Sequence, residues 1–232
     1  MIKIEGLVKN YGMLLVLRGV DLSVQAGEFV TLVGANGAGK TTLLRIVASL
    51  LSPSDGRVSV GGWPLPLHAD KVRPHLGLVS HHALLYGDLT AAENLMFFAR
   101  LYDLDDREAR VANALRAVGL LARQRDAVRT FSRGMTQRLT LARATLHEPD
   151  VLLLDEPYTG LDQEASHLLD ELLRREQARG RTILMITHDL AHGLNLCDRI
   201  AILSRGRVVS SVERESMTAS EFLSHYADIT RN

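Results

Sequence analysis

Apolar residues at Ile2, Ile4 and Val8 alternate with polar ones, Gly12 interrupts, and Val20, Leu22 and Val24 alternate again up to a turn at Ala26-Gly27. A period of two buries one face of a strand, so this stretch predicts an antiparallel β region. Residues 29–33 form a nearly continuous apolar run that leads into a glycine-rich loop. A helix is predicted next, over 41–51, ended by Ser52-Pro53-Ser54-Asp55-Gly56. Strand, loop and helix follow in the order of an α/β fold. From about 90 to 146 the apolar period becomes helical, with Leu95, Phe98, Ala99 and Tyr102, then Val111, Leu115 and Val118. This predicts an inserted helical subdomain. Apolar strands return at 151–154 and 183–186 with a helix over 163–179 between them, a βαβ unit. Residues 200–203 and 208–212 flank Ser204-Arg205-Gly206-Arg207 as a hairpin, and 221–226 predict a closing helix. Without repeats or linkers, residues 1–232 read as a single domain.

Composition narrows the classes. With 232 residues, 46% of them hydrophobic, the chain can bury a substantial core. Its 27 basic and 27 acidic side chains cancel, so no net field draws it toward nucleic acid or an anionic membrane. The one cysteine, Cys197, makes no internal disulfide and reads as a small buried residue of a reducing compartment. The N-terminus lacks the apolar centre of a signal peptide, and no run approaches the about 18 apolar residues of a membrane span. The expectation is a cytoplasmic protein that reaches a membrane only through a partner.

The chemistry sits in three places. Gly34-Ala35-Asn36-Gly37-Ala38-Gly39-Lys40-Thr41 matches the phosphate-binding pattern GxxxxGK(S/T), between an apolar strand and a helix. Glycines let backbone N–H groups approach phosphate, and the helix N-terminus adds a favourable dipole. The expected nucleotide-binding set is Gly34, Asn36, Gly37, Ala38, Gly39, Lys40, Thr41 and Thr42, with Lys40 on the β and γ phosphates and the Thr41 hydroxyl on magnesium. Asp155 and Glu156 follow a buried strand, at the end where ligands of open parallel sheets collect. Asp155 is placed to hold hydrated magnesium and Glu156 to act as general base or orient the attacking water; the alternative is that they cap the next helix. Thr90-Ala91-Ala92-Glu93, in contrast, fits a capping box, and Glu93 is assigned to structure. The stripe of Leu95, Phe98 and Tyr102 is assigned to helix packing, with part of it bordering a partner's docking groove.

The third place is Phe131-Ser132-Arg133-Gly134-Met135, followed by Thr136-Gln137-Arg138 and a helix. It resembles the LSGGQ signature of ABC transporter ATPases. That resemblance covers nearly the whole chain and implies a P-loop NTPase core with an antiparallel β region and an inserted helical subdomain. Tyr11 matches the aromatic that stacks on adenine, Asp162 of Gly160-Leu161-Asp162 lies in what looks like the D-loop, and His188 looks like the switch histidine. The family implies ATP and Mg2+ as ligands, transmembrane permease subunits as partners, and a head-to-tail dimer. In that dimer Ser132 and Gly134 of one subunit meet the γ phosphate held by the other. Arg133 and Met135 depart from the usual signature. In Ser80-His81-His82, His81 stands where the family carries the Q-loop glutamine, and it is expected to act through water or as a conformational sensor, because magnesium prefers oxygen ligands. The alternative is a packed histidine pair. The stretch 77–102, with Phe131-Ser132-Arg133-Gly134-Met135 and 155–162, resembles the ATP-binding subunits of cytochrome c maturation haem exporters. Exporters of a lipid, polysaccharide or drug share the same catalytic residues, and soluble ABC proteins acting on ribosomes or nucleic acid form a remoter class, disfavoured by the neutral charge. The implied location is peripheral, on the inner face of the cell membrane.

Overall fold

A computed structural model describes residues 1–80 and 82–231. Its strands are β1 (Ile2–Tyr11), β2 (Leu14–Val24), β3 (Phe29–Val33), β4 (Asp55–Val60), β5 (Trp63–Leu65), β6 (Leu76–Val79), β7 (Val151–Asp155), β8 (Thr182–Thr187), β9 (Arg199–Ser204) and β10 (Arg207–Glu213). The helices are α1 (Lys40–Val47), α2 (Ala69–Val72), α3 (Ala91–Leu101), α4 (Arg107–Ala117), α5 (Arg133–Thr145), α6 (Gln163–Ala178), α7 (Leu190–Leu196) and α8 (Ala219–Arg231). Strands β2-β1-β4-β5 make an antiparallel sheet. A second sheet has the order β10-β9-β3-β8-β7-β6, parallel from β9 to β6 with β10 antiparallel at its edge.

The apolar runs of β3, β7 and β8 are unbroken because both faces of their sheet are covered. Phe29, Val33, Leu152, Leu154, Ile183 and Met185 face one core, with residues of α3 to α8. Val30, Leu32, Val151, Leu153, Leu184 and Ile186 face the other, with α1 and the antiparallel sheet. Alternate side chains of each strand thus serve two cores. Three helices, α3 to α5, connect β6 to β7 and bury Leu95, Ala99, Val111, Leu115 and Val118. Thr90 and Glu93 form the full capping box of α3.

Several expectations shift. In β1 the buried residue after Ile4 is Leu7, not Val8. Gly6 sits at φ 57 within an irregularity of the pairing, its N–H donating to Asp21 Oδ1 at 2.7 Å, and the bulge moves the inward face by one residue. Helix α1 ends at Val47, four residues early, where Ser49 takes φ 58. The closing helix is longer than predicted, and β4, β5, β6, α2 and α7 carry too little periodicity to be foreseen.

Candidate nucleotide site

Strand order brings the ends of β3, β8 and β7 side by side, with Val33 paired to Thr187 and Ile186 to Asp155. The loops that leave them carry the predicted residues. Gly34 passes so close to β9 that a Cβ there would collide with the Leu203 carbonyl oxygen. Gly37 and Gly39 take φ 81 and 106, the left-handed region open to glycine, and Gly39 caps α1. Ala38 is buried and its N–H donates to Ala35 O at 3.1 Å; Asn36 is exposed and Thr42 half-buried.

Lys40 is only 7% exposed, and its ammonium donates to the carbonyls of Gly34 (2.7 Å) and Ala35 (3.3 Å). It lies 4.0 Å from Glu156 Oε1. Burial lowers its pKa, and the carboxylates of Glu156 and Asp155 oppose that shift. Thr41 Oγ1 donates to Asp155 Oδ1 at 3.3 Å, so two hard oxygen donors stand together at the start of α1. Glu156 adopts φ 52, and its N–H donates to Ile186 O at 2.9 Å. A non-glycine residue held there is strained, and such strain concentrates at functional sites. Its Oε2 is met by His188 Nδ1 at 2.8 Å, and accepts from His188 N–H and the Thr187 hydroxyl, each at 3.2 Å.

Lys40, Thr41, Asp155, Glu156 and His188 therefore form one connected cluster. Thr187 belongs to it and carried no signal of its own beyond preceding His188. Tyr11 stands elsewhere, 47% exposed at the end of β1 with the Lys9 ammonium 5.2 Å from its ring centre. The hairpin it belongs to approaches the loop through β2, where Val16 and Leu17 lie against Gly39.

Ser132 and Gly134 form a second group. The Ser132 hydroxyl caps α5, accepting from Met135 N–H at 3.3 Å. Gly134 packs closely on Ala165 of α6, and Arg133 lies over Gly160, where a Cβ would collide with its guanidinium. Asp162 caps α6, its Oδ1 accepting from Ala165 N–H at 2.8 Å. The signature segment and the 160–162 loop are thus packed on one another within one chain. His81 lies outside the described residues; beside it, the Ser80 hydroxyl donates to His82 O at 2.7 Å.

No described helix is long and apolar enough to cross a membrane. Residues 17–159 match the family model described as ABC transporter. The Nod factor export ATP-binding protein I of Burkholderia orbicola (strain AU 1054) is 42% identical over 215 residues, spanning 92% of this chain and 71% of that protein. The linearmycin resistance ATP-binding protein LnrL of Bacillus subtilis (strain 168) is 34% identical over 212 residues, spanning 90% and 68%. A dimeric ATP-binding cassette in a post-hydrolysis state, bound to ADP and Pi, superposes with a TM-score of 0.84 at 27% identity, over 92% of this chain and 99% of that one. With the P-loop, the acidic strand end and the two-sheet architecture in agreement with these matches, the chain belongs to the ABC transporter family as an ATP-binding domain.

Proposed function

We propose that this chain is the ATP-hydrolysing subunit of a membrane exporter, with Glu156 as the base that takes a proton from the attacking water. The observation that carries this reading is the carboxylate of Glu156, 4.0 Å from the Lys40 ammonium and 2.8 Å from His188 Nδ1, on the strand edge where the phosphate loop lies. A base must reach both water and phosphate, and this position faces both. Lys40 releases the loop carbonyls of Gly34 and Ala35 to meet the β and γ phosphates. His188 orients the Glu156 carboxylate and the terminal phosphate. Thr41 and Asp155 supply oxygen donors that fit magnesium, a hard cation that binds through one or two protein oxygens plus substrate phosphates and water. The ion neutralises phosphate charge when bound.

Tyr11, exposed on its hairpin, is assigned to stack on adenine. Ser132 and Gly134, at the N-terminus of a helix 13 residues long, suit a terminal phosphate presented by a second copy of the chain. A dimeric relative supports the pairing, and the head-to-tail arrangement with Asp162 at the interface is our reading. We assign residues 90–146 as the helical subdomain that meets permease subunits, which would hold the protein on the inner face of the membrane; no nucleic-acid partner is assigned.

Both named relatives carry export or resistance in their names, which supports an exporter. Haem as cargo rests on the resemblance of stretch 77–102 and on His81 at the glutamine position. The relatives' names lend it no specific support, and export of a lipid, polysaccharide or drug fits equally.

Glu156→Gln tests the reading, since an amide takes no proton from water. ATP binding should persist while hydrolysis is lost, by about a hundredfold or more for a missing general base. Wild-type turnover in E156Q would remove the assignment. For the cargo, the protein purified from native membranes in mild detergent is expected to bring multispan subunits with it. A haem band in the visible spectrum would select haem, and its absence beside a permease would select another cargo.

A further inference from the structure

Resting on the roles just assigned to Glu156 and His188, we propose that the stacked rings of Tyr158 and His192 are positioning residues that hold the two segments carrying those groups in register. Tyr158 lies two residues past Glu156, and His192 four past His188. Their ring centres are 4.4 Å apart at an interplanar angle of 23°. Such offset stacks contribute beyond the area they bury.

Each ring is anchored on its far side. The buried Tyr158 hydroxyl donates to Asp170 Oδ1 of α6 at 2.7 Å, which ties the segment after Glu156 to the body of the domain. His192 meets Asp189 twice, its N–H donating to Oδ1 at 3.1 Å and its Nδ1 lying 2.8 Å from Oδ2. Asp189 N–H donates in turn to Thr187 Oγ1 at 3.0 Å, and Thr187 donates to Glu156. A path of contacts therefore runs from Glu156 through Thr187, Asp189 and His192 to Tyr158, and the backbone through Pro157 closes it on Glu156.

The reacting edge of that path cannot hold the segments alone. His188 and Thr187 hold Oε2 of Glu156, and as the carboxylate takes a proton from water it loses its charge and those hydrogen bonds weaken. The ring stack uses no atom of the reacting groups and persists through the step. It also resists relaxation of the strained backbone of Glu156, at φ 52, which would swing the carboxylate off the edge.

The test compares His192→Ala, His192→Phe and Tyr158→Phe in the full chain, with steady-state ATP hydrolysis and thermal unfolding measured on each. Small misplacements of a catalytic group depress kcat more than binding, so H192A should lose about tenfold or more in kcat with KM for ATP within about twofold. H192F, which restores a stacked ring, keeps the backbone N–H bond to Asp189 and lacks only the Nδ1 contact, should recover most of kcat. Y158F, which retains the stack and loses the Asp170 anchor, should lower the unfolding midpoint and lose less of kcat than H192A. Wild-type kcat in H192A, an H192F as impaired as H192A, or a kcat loss that only tracks a lowered unfolding midpoint would each overturn the proposal. E156Q run alongside separates the two readings. Turnover that survives in E156Q removes the base itself; turnover lost in E156Q and intact in H192A removes only the role of the stack.

Discussion

At Gly34 the phosphate loop leaves β3 with no room for a side chain, because the Leu203 carbonyl of β9 occupies the place a Cβ would take. Backbone cannot yield as a flexible side chain can. Gly34→Ala should therefore displace the loop, cost about 1–3 kcal/mol of stability as overpacking does, and weaken ATP binding; a denaturant titration and a nucleotide titration check both. This glycine was legible in the sequence because the P-loop is a continuous pattern whose chemistry is local. Asp155 and Glu156 were legible for a related reason, as charges ending an apolar run. Thr187, Tyr158 and His192 were not, since each acts through a partner on another segment. Arg133 departs from the family signature in the sequence, but its seat over Gly160 depends on how α5 meets the 160–162 loop.

The element that best shows what periodicity misses is β6, a four-residue edge strand with a glycine in it. Helix α5 comes so close that a Cβ at Gly77 would collide with the Ala144 carbonyl. From one face of α5, Arg143 Nη2 donates to Leu78 O at 2.6 Å and His147 Nε2 just beyond donates to Leu76 O at 3.0 Å. Two carbonyls of the sheet edge are thereby satisfied by side chains, and the edge is covered. Tyr102 of the α3 C-cap stacks on His147 at 3.9 Å, and the Arg143 guanidinium lies 5.2 Å from the Phe98 ring centre. Burial pushes the His147 pKa down to about 4. Between that value and the ordinary histidine value of 6.5 the unfolded chain binds a proton that the folded one does not, so this stability is present above pH 6.5 and is lost as pH falls toward 4. His147→Gln keeps an N–H for Leu76 and does not titrate. Its unfolding midpoint should decline less steeply over that window, and equal slopes in both proteins would refute the burial argument.

Over the whole molecule, the groups proposed to bind nucleotide and those of the signature-like segment sit on separate parts of one chain. Lys40, Thr41, Asp155, Glu156 and His188 gather at the ends of the central strands β3, β7 and β8, while Ser132 and Gly134 gather with Asp162 and Ala165 between α5 and α6. If each site is completed by a second copy, hydrolysis requires association. Specific activity should then rise with protein concentration, and the dependence of rate on ATP should be sigmoidal. A rate strictly proportional to protein concentration, with hyperbolic ATP dependence across the range, would show that one chain suffices.

The sequence by itself determined the α/β order of elements, the glycine-rich loop between β3 and α1, the acidic strand end and the capping box of α3, because each is a contiguous run that needs only near neighbours. Tertiary structure decided that Leu7 and not Val8 faces the core, since a bulge breaks a period that local pattern assumes to continue. It also decided that Glu156 meets His188, that Tyr158 meets His192, and that α5 closes the edge at β6. Those encounters depend on β3, β8, β7 and β6 lying in that order, and strand order is set by how alternate side chains fill the two cores together, a condition on the whole chain that no single segment carries.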